Sequence, residues 1–284
     1  MGLRIQNNIE AFNTHRQLSA TAVQASKSME KLSSGYRINR AADDAAGLGI
    51  SEKMRGQIGG LAQAQRNAQD GISLVQTAEG SLAEVHSMLQ RVRDLKVQIN
   101  NATLDDNDKN SIGAEVAEIA KEIGSIISDT QFNGQTVFGT NTFSFQVGAN
   151  QGETISMTAA NLATDRTAGG LSNLTAVGVS AASAVAVALC SGDLANIDDL
   201  DKMIENVSKI RGQYGAVQNR LEHRLANLAT YQENLTASES RIRDVDMAAE
   251  MTKFTKFNIL QQAGTSMLAQ ANQAPQNVLS LLKG

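Results

Sequence analysis

Proline, cysteine and tryptophan are nearly absent from this chain of 284 residues. It contains one proline, Pro275, one cysteine, Cys190, and no tryptophan, and only 4% of its residues are aromatic. One cysteine excludes a disulfide scaffold, and the scarcity of proline leaves long stretches without the strongest helix breaker. The 42% hydrophobic content also argues against a disordered chain. This composition favours a protein of long helices that are stabilised by seams of aliphatic side chains.

The charge and the hydropathy argue against binding to nucleic acid and against a membrane span. The formal net charge of −4 gives no reason to expect binding to nucleic acid. The sequence contains no run of eighteen apolar residues, so no membrane span is predicted. The N-terminus has no hydrophobic run typical of a secretory signal. On these criteria alone the chain would be assigned to the cytoplasm.

Three tracts have strong helical periodicity. The most regular one runs from Ile72 to Ile99, where apolar residues recur at steps of three and four, as in a coiled-coil seam. Gly71 precedes it. A second tract covers 112–126, and the polar stretch 100–110 predicts an antiparallel hairpin between these two helices. The third tract covers 200–235.

Two weaker helical tracts lie at the chain ends, and their apolar stripes are thin and interrupted by polar residues. Because such helices are unstable alone in water, we expect them to pair with each other and to bring both termini to one end of the molecule. The predicted terminal-core interface consists of Ile5, Ile9, Phe12, Met29, Leu32, Met251, Phe254, Leu260, Met267, Val278 and Leu281.

Between the helical halves the hydrophobic period changes to two. Phe143, Phe145 and Val147 alternate with polar residues, as do Ile155 and Met157, which predicts a β-hairpin within about 131–157. The Asn-Gly pair at 133–134 predicts a tight turn, and residues 160–195 are expected to be rich in loops. The predicted fold is therefore mainly α: an elongated antiparallel helical rod or coiled coil with a small β-hairpin region.

No pattern of residues indicates catalysis, a cofactor or a metal. The three histidines, His15, His86 and His223, are in no metal-binding motif, and Cys190 is interpreted as a small side chain and not as a nucleophile. The pair Asp43-Asp44 is interpreted as a helix cap with salt bridges. We predict no catalytic, cofactor-binding or metal site, and no enzyme.

Several tracts in both halves of the chain resemble bacterial flagellins. They cover roughly 1–157 and 200–284 in the order found in that family. The matching tracts are Leu32–Asn39, Asp43–Gly47, Gln65–Ser73, Leu89–Leu95, Gln131–Gly134, Gln146–Asn150, Ala269–Gln273 and Val278–Leu282.

The resemblance implies a structural subunit that polymerises into the hollow helical flagellar filament. Segments 1–45 and 245–284 would form the inner filament core, and 46–244 the helical rod, with a short variable segment at about 160–195 in place of the outer domains of longer relatives. The subunit would be exported unfolded through the flagellar type III apparatus, without a cleaved signal, so the resemblance replaces the cytoplasmic assignment by an extracellular one. Its expected partners are further copies of itself, an export chaperone, and the filament cap and hook-junction proteins.

One more property implied by the resemblance is recognition by a host Toll-like receptor. Arg91, Leu95 and Glu115 match the family's recognition positions, although subunit packing is the favoured role for them.

Two alternative functions stay open: a hook–filament junction protein of the same family, and a helical coiled-coil scaffold or signalling protein. A flagellin with an inserted zinc protease is excluded, because the chain has no His-Glu-x-x-His sequence.

Overall fold

The computed structural model describes residues 8–139, 141–158 and 197–283, with side chains described as far as residue 273. These residues are mainly helical and include a small β region, as the sequence predicted. The loop-rich segment predicted at 160–195 lies outside the described residues. The elements in chain order are α1 (Ile9–Ser34), α2 (Ala45–Ile99), α3 (Asp106–Asp129), β1 (Gln131–Phe132), β2 (Gln135–Thr136), β3 (Thr142–Gln146), β4 (Thr154–Thr158), α4 (Ile197–Arg243) and α5 (Met247–Lys283).

The chain divides into two compact units. Unit 1 comprises Met1–Gln57 and Glu233–Gly284, and unit 2 comprises Ile58–Gln232. Helices α2 and α4 each contribute residues to both units. The functional division predicted from the sequence, with boundaries near 45 and 245, stays a prediction.

Within unit 2, α2 and α3 are antiparallel, as the polar turn between them predicted. The Arg91 guanidinium of α2 lies 2.7 Å from a Glu115 carboxylate oxygen of α3. The Thr130 hydroxyl, just after α3, donates a hydrogen bond of 3.2 Å to the Ser81 hydroxyl. Because a later position on α3 meets an earlier one on α2, the two helices run in opposite directions.

Helix α4 also runs antiparallel to α2 in unit 2. Asp201 lies 2.6 Å from Arg93, whereas Arg211, later in α4, lies 3.6 Å from Glu79. These charged pairs lie at the edges of the helices, and apolar side chains fill the space between them.

The predicted seams form the core of unit 2. The core residues that α2 contributes include Val75, Ala78, Leu82, Val85, Leu89, Val92, Leu95 and Ile99. Those from α3 and α4 include Ile112, Val116, Ile123, Leu200, Met203, Val207, Tyr214 and Leu221. The steps of three and four place these side chains on one face of each helix, which is why the periodicity identified them.

Helix α2 continues through Gly71, the residue that precedes the regular seam in the sequence. A glycine destabilises a helix by about 0.8–1 kcal/mol relative to alanine, but here packing outweighs that penalty. A Cβ at Gly71 would lie 3.1 Å from the Phe145 ring and 3.3 Å from Leu221, and one at Gly60 would lie 3.0 Å from Ala149. These glycines let the β region and α4 approach the helix, so they are sites of close packing.

The β region follows the predicted alternation. Asn133 and Gly134 have φ of 52° and 76°, as a tight Asn-Gly turn between β1 and β2 requires. Strands β3 and β4 pair antiparallel, with Phe143 opposite Met157 in the register. Ile155 and Met157 are buried in the core of unit 2, so the apolar face of the hairpin closes one part of that core.

Candidate functional site

In unit 1, α1 packs against α5, and the two helices are antiparallel. The Asn8 side-chain amide donates a hydrogen bond of 2.7 Å to the Ala271 carbonyl oxygen. At the other end of α1, the Ser28 hydroxyl donates a hydrogen bond of 2.6 Å to the Glu250 carboxylate. The terminal tracts therefore pair with each other, as their thin stripes predicted.

The most deeply buried residues of this contact are mainly small ones. Ala25, Ser28 and Ala271 are buried, and a Cβ at Gly264 would lie 3.1 Å from Leu18. Small side chains allow two helices to approach closely, but they bury little apolar surface. The pair therefore gains only modest hydrophobic stabilisation from its own contact.

A charged residue lies inside the contact between the two helices. Glu250 is buried, and its carboxylate is held by the Ser28 hydroxyl and by the Lys253 ammonium at 3.0 Å. Burial alone would raise the pKa of Glu250, but these two hydrogen bonds and the positive charge of Lys31 together hold the pKa below its usual value. Glu250 is therefore a buried anion whose carboxylate is hydrogen-bonded to both of these partners.

The apolar side chains of unit 1 lie mostly on its surface. Only Ala25, Ile38 and Ala271 are buried hydrophobic residues among its described side chains, whereas unit 2 has 28 in the described part of its sequence. The large hydrophobic side chains that unit 1 exposes form what we call the outer apolar surface. They are Ile9, Phe12, Val23, Met29, Ile50, Met247, Met251, Ile259, Leu260 and Met267.

Helix α1 presents two different faces. Successive residues are rotated by about 100° around a helix axis, so Ile9, Phe12 and Val23 lie on the side opposite Ala25. One face of α1 thus contacts α5, and the other carries large apolar residues that are mostly exposed to solvent in the described part of the chain. Exposed apolar surface of this kind marks an interaction site.

The predicted terminal-core residues occupy different positions in the structure. Ile9, Phe12, Met29, Met251, Leu260 and Met267 belong to the outer apolar surface, whereas Leu32 and Phe254 are half-buried. Ile5 lies outside the described residues, and the side chains of Val278 and Leu281 are likewise not described. Most of the described members of the predicted set are therefore exposed, and the fully buried positions between α1 and α5 are taken mainly by smaller residues.

A second cluster in unit 1 surrounds Tyr36, the residue after the left-handed Gly35 that ends α1. The guanidinium of Arg243 lies 4.9 Å from the centre of the tyrosine ring, and that of Arg55 lies 6.0 Å from it. Arg243 is also hydrogen-bonded to Glu52, and Arg55 lies 3.7 Å from Glu239. Two cations therefore stack on one ring and are each paired with a carboxylate.

Backbone contacts reinforce this cluster. The Val245 amide donates a hydrogen bond of 3.0 Å to the Gly35 carbonyl, and Tyr36 forms an isolated antiparallel bridge with Asp244. The sequence reasoning missed the cluster, because its members come from three separate tracts that share no periodicity. It joins the end of α1 to the junction between α4 and α5.

Of the acidic pair, Asp44 caps α2, as interpreted from the sequence, whereas Asp43 binds backbone amides of the preceding loop. The Asp44 side chain accepts a hydrogen bond of 2.9 Å from the Gly47 amide in the first turn of α2. The Asp43 carboxylate accepts from the amides of Arg40 and Asn39. The Arg40 amide is the main reason that the pKa of Asp43 is lowered, because it stabilises the charged form.

The structure brings together two of the three residues predicted for receptor recognition. Arg91 and Glu115 form an exposed ion pair, with a second bond of 2.9 Å from Nε of Arg91. Leu95 is only 2% exposed and lies in the core of unit 2. The ion pair is thus on the surface, whereas Leu95 contributes to packing.

The described residues include no group of three His, Cys, Asp or Glu side chains that could hold a metal ion. None of the helices in the described ranges is long and apolar enough to cross a membrane.

Comparison with known proteins identifies the family. Residues 5–142 match the model of the bacterial flagellin N-terminal helical region, and residues 197–282 match that of the C-terminal helical region. The chain belongs to the bacterial flagellin family. The two matches cover the helical halves on either side of the 160–195 segment, in the order expected from the sequence resemblance.

Two relatives of nearly the same length support this flagellin assignment. The chain is 50% identical to the flagellin of Halalkalibacterium halodurans over 288 residues, which cover 98% of this chain and 99% of that protein. It is 49% identical to the flagellin of Bacillus subtilis over 314 residues, which cover 99% and 100%. Neither alternative function left open by the sequence gains support from these relatives.

A solved structure shares the fold. It is described as a putative flagellar hook-associated protein from Vibrio parahaemolyticus and matches with a TM-score of 0.57. The match covers 71% of this chain and all of that one, at 16% sequence identity. At this identity the likeness concerns the architecture alone.

Proposed function

We propose that this chain is the structural subunit of the bacterial flagellar filament and that it polymerises through the outer apolar surface of unit 1. The observation that carries the proposal is the contrast between the two units. Unit 2 buries most of its large apolar side chains in a core of its own, whereas unit 1 exposes ten large apolar side chains and buries mainly small residues. Polymerisation would supply the missing burial.

The two faces of α1 suit an open polymer. An interface between unlike surfaces whose rotation does not close produces a helical filament instead of a ring or a dimer. The face of α1 that contacts α5 is occupied within the subunit, so the opposite face, with Ile9, Phe12 and Val23, is available to a neighbouring copy. Segments 1–45 and 245–284 would then form the inner core of the filament, and 46–244 the part outside it.

The partners and the location follow from this assignment. A filament subunit must leave the cell, and we propose export in an unfolded state by the flagellar type III apparatus with a dedicated chaperone. Capping and hook-junction proteins would contact the subunit at the two ends of the filament. The assembled protein would be extracellular, and its role structural and not enzymatic.

Receptor recognition is a secondary proposal. The exposed pair Arg91–Glu115 offers a polar surface patch to a host Toll-like receptor, whereas the buried Leu95 would act by holding α2 in place. The pair also fixes α3 against α2, so packing is the role that the geometry favours. Receptor signalling that is unchanged by Arg91→Ala would argue against recognition.

The proposed function is tested by assembly of the purified full-length chain on sheared filament seeds, followed by electron microscopy. We expect long hollow filaments whose growth requires the seeds. Phe12→Asp, which places a carboxylate on the outer apolar surface, should abolish growth. Gln17→Asp, an equal change at an exposed polar position of α1, should leave growth nearly unchanged. A chain that folds but forms no filaments would contradict the proposal.

A further inference from the structure

We propose that the exposed methionines of the outer apolar surface are oxidation sites through which a peroxide blocks incorporation of the subunit into a polymer. This inference rests on the proposed function, because it assumes that the same surface is buried when subunits assemble. The inference adds that the methionine side chains make this surface sensitive to oxidants.

The methionines are distributed unequally between the two units. Four methionines are largely exposed, namely Met29, Met247, Met251 and Met267, and all of them lie in unit 1. By contrast, the described methionines of unit 2 are Met88, which is half-buried, and Met157 and Met203, which are each 2% exposed.

The reaction is a two-electron oxygen transfer. A lone pair of the methionine sulfur attacks one oxygen of hydrogen peroxide, the O–O bond breaks, and the second oxygen leaves as water after proton transfer. The thioether is oxidised to a sulfoxide and the peroxide is reduced. Exposure of the sulfur to solvent governs the rate, because the folded chain shields buried thioethers from the oxidant.

The product is poorly suited to an apolar interface. A sulfoxide is strongly polar, and burying it without a hydrogen-bond partner is unfavourable. Met247 and Met251 are one helical turn apart and lie on one face of α5, so two sulfoxides there would act on the same patch. Met29 lies beside the small-residue face of α1, and Met267 is 60% exposed on α5. Each oxidation would therefore weaken the addition of a subunit.

The same geometry makes the effect depend on the assembly state. In the free subunit these four side chains are accessible to peroxide, whereas in the polymer a neighbouring copy would cover them. Oxidation would consequently remove free subunits from the assembling pool and spare polymer that has already formed.

The first experiment maps oxidation by mass spectrometry of peptides after brief treatment of the full-length chain with hydrogen peroxide. In the free subunit we expect the four exposed methionines to be oxidised at least about tenfold faster than Met157 and Met203, because the rate of thioether oxidation depends on the exposure of the sulfur to solvent. In filaments the four should be protected. Equal oxidation of buried and exposed methionines, or no protection in filaments, would overturn the inference.

The second experiment measures assembly of the oxidised subunit on unoxidised seeds. We expect the critical concentration to rise by about tenfold or more, since loss of one buried side-chain contact has an effect of this size. Treatment with methionine sulfoxide reductases of both stereospecificities and dithiothreitol should restore it. Oxidised protein that assembles at the untreated critical concentration would overturn the inference, and so would a loss that the reductases leave unchanged.

Variants separate the thioethers from other targets of peroxide. In a chain whose four exposed methionines are replaced by leucine, peroxide should leave the critical concentration at that variant's own untreated value, whereas peroxide should raise the critical concentration of Met203→Leu as it does that of the parent chain. If the fourfold variant does not assemble, the reductase experiment on the unaltered chain decides the matter. Untreated protein that does not polymerise contradicts the proposed function, whereas polymerisation that peroxide leaves unchanged contradicts only this inference.

Discussion

Phe12 offers the sharpest test of the outer apolar surface. Its side chain is 70% exposed in the structure and lies on the face of α1 opposite the contact with α5. Replacing it by alanine removes the aromatic ring while keeping a residue of high helix propensity. The substitution should therefore change association between subunits and leave the folding of each subunit nearly unaltered.

The expected magnitude follows from the area that remains exposed. Complete burial of a phenylalanine side chain is worth about 1.5–3 kcal/mol, and about 70% of that, roughly 1–2 kcal/mol, is still available to an interface at Phe12. Because about 1.4 kcal/mol corresponds to a factor of ten in an equilibrium constant, Phe12→Ala should raise the critical concentration for assembly by about five- to thirtyfold.

The assay is seeded polymerisation at several total concentrations, with the protein left in the supernatant after sedimentation taken as the critical concentration. Gln17→Ala is the matched control, since it changes an exposed polar residue of the same helix and should shift the value by less than about twofold. Thermal unfolding of the free Phe12→Ala subunit should match that of the parent chain. Leu82→Ala, in the core of unit 2, should instead destabilise folding by about 2–5 kcal/mol.

One result would refute the reasoning. If Phe12→Ala polymerises at the parental critical concentration, the ring stays in solvent in the polymer, and the exposed face of α1 is not an assembly surface. A large drop in the thermal stability of the free subunit would also contradict the structure, because it would mean that Phe12 is already packed within the chain.

Three further predictions concern individual contacts. The depressed pKa of Glu250 means that its contribution to stability is present above its ordinary pKa and is lost as the pH falls through the lowered value. The protease resistance of unit 1 should therefore decrease in acid, and Glu250→Gln should flatten that pH dependence. In α2, Gly80→Ala should stabilise the chain against denaturant by about 0.5–1 kcal/mol, whereas Gly71→Ala should fail to do so because its Cβ would press on Phe145; equal gains would show that Gly71 is not closely packed. Tyr36→Leu should destabilise unit 1 by about 0.5–2 kcal/mol through loss of two cation–π contacts, and Tyr36→Phe should restore most of it in the same denaturation assay.

The β-hairpin and the helices of unit 2 were predictable because each carries its own period. Phe143 and Met157 alternate with polar residues and face each other across the predicted hairpin, and the seam from Val75 to Ile99 is buried as its spacing indicated. In these elements burial on one face is the only role of the apolar residues, so the pattern along the sequence and the packing in space coincide. The close packing of Gly71 against Phe145 and Leu221 could not be predicted in this way, because a single glycine has no period in the sequence.

The terminal helices show where such prediction stops. Their tendency to pair was evident from the sequence, since neither stripe could stabilise an isolated helix. Which face of α1 makes the pair was decided by the tertiary structure, where the small residues Ala25 and Ser28 meet α5 and the large Phe12 points away. Hydrophobic periodicity shows that a side chain requires burial, but it does not show whether the burying surface belongs to the same chain or to another copy. That distinction depends on the shape and size of the residues that fit together, which only the folded pair of helices determines.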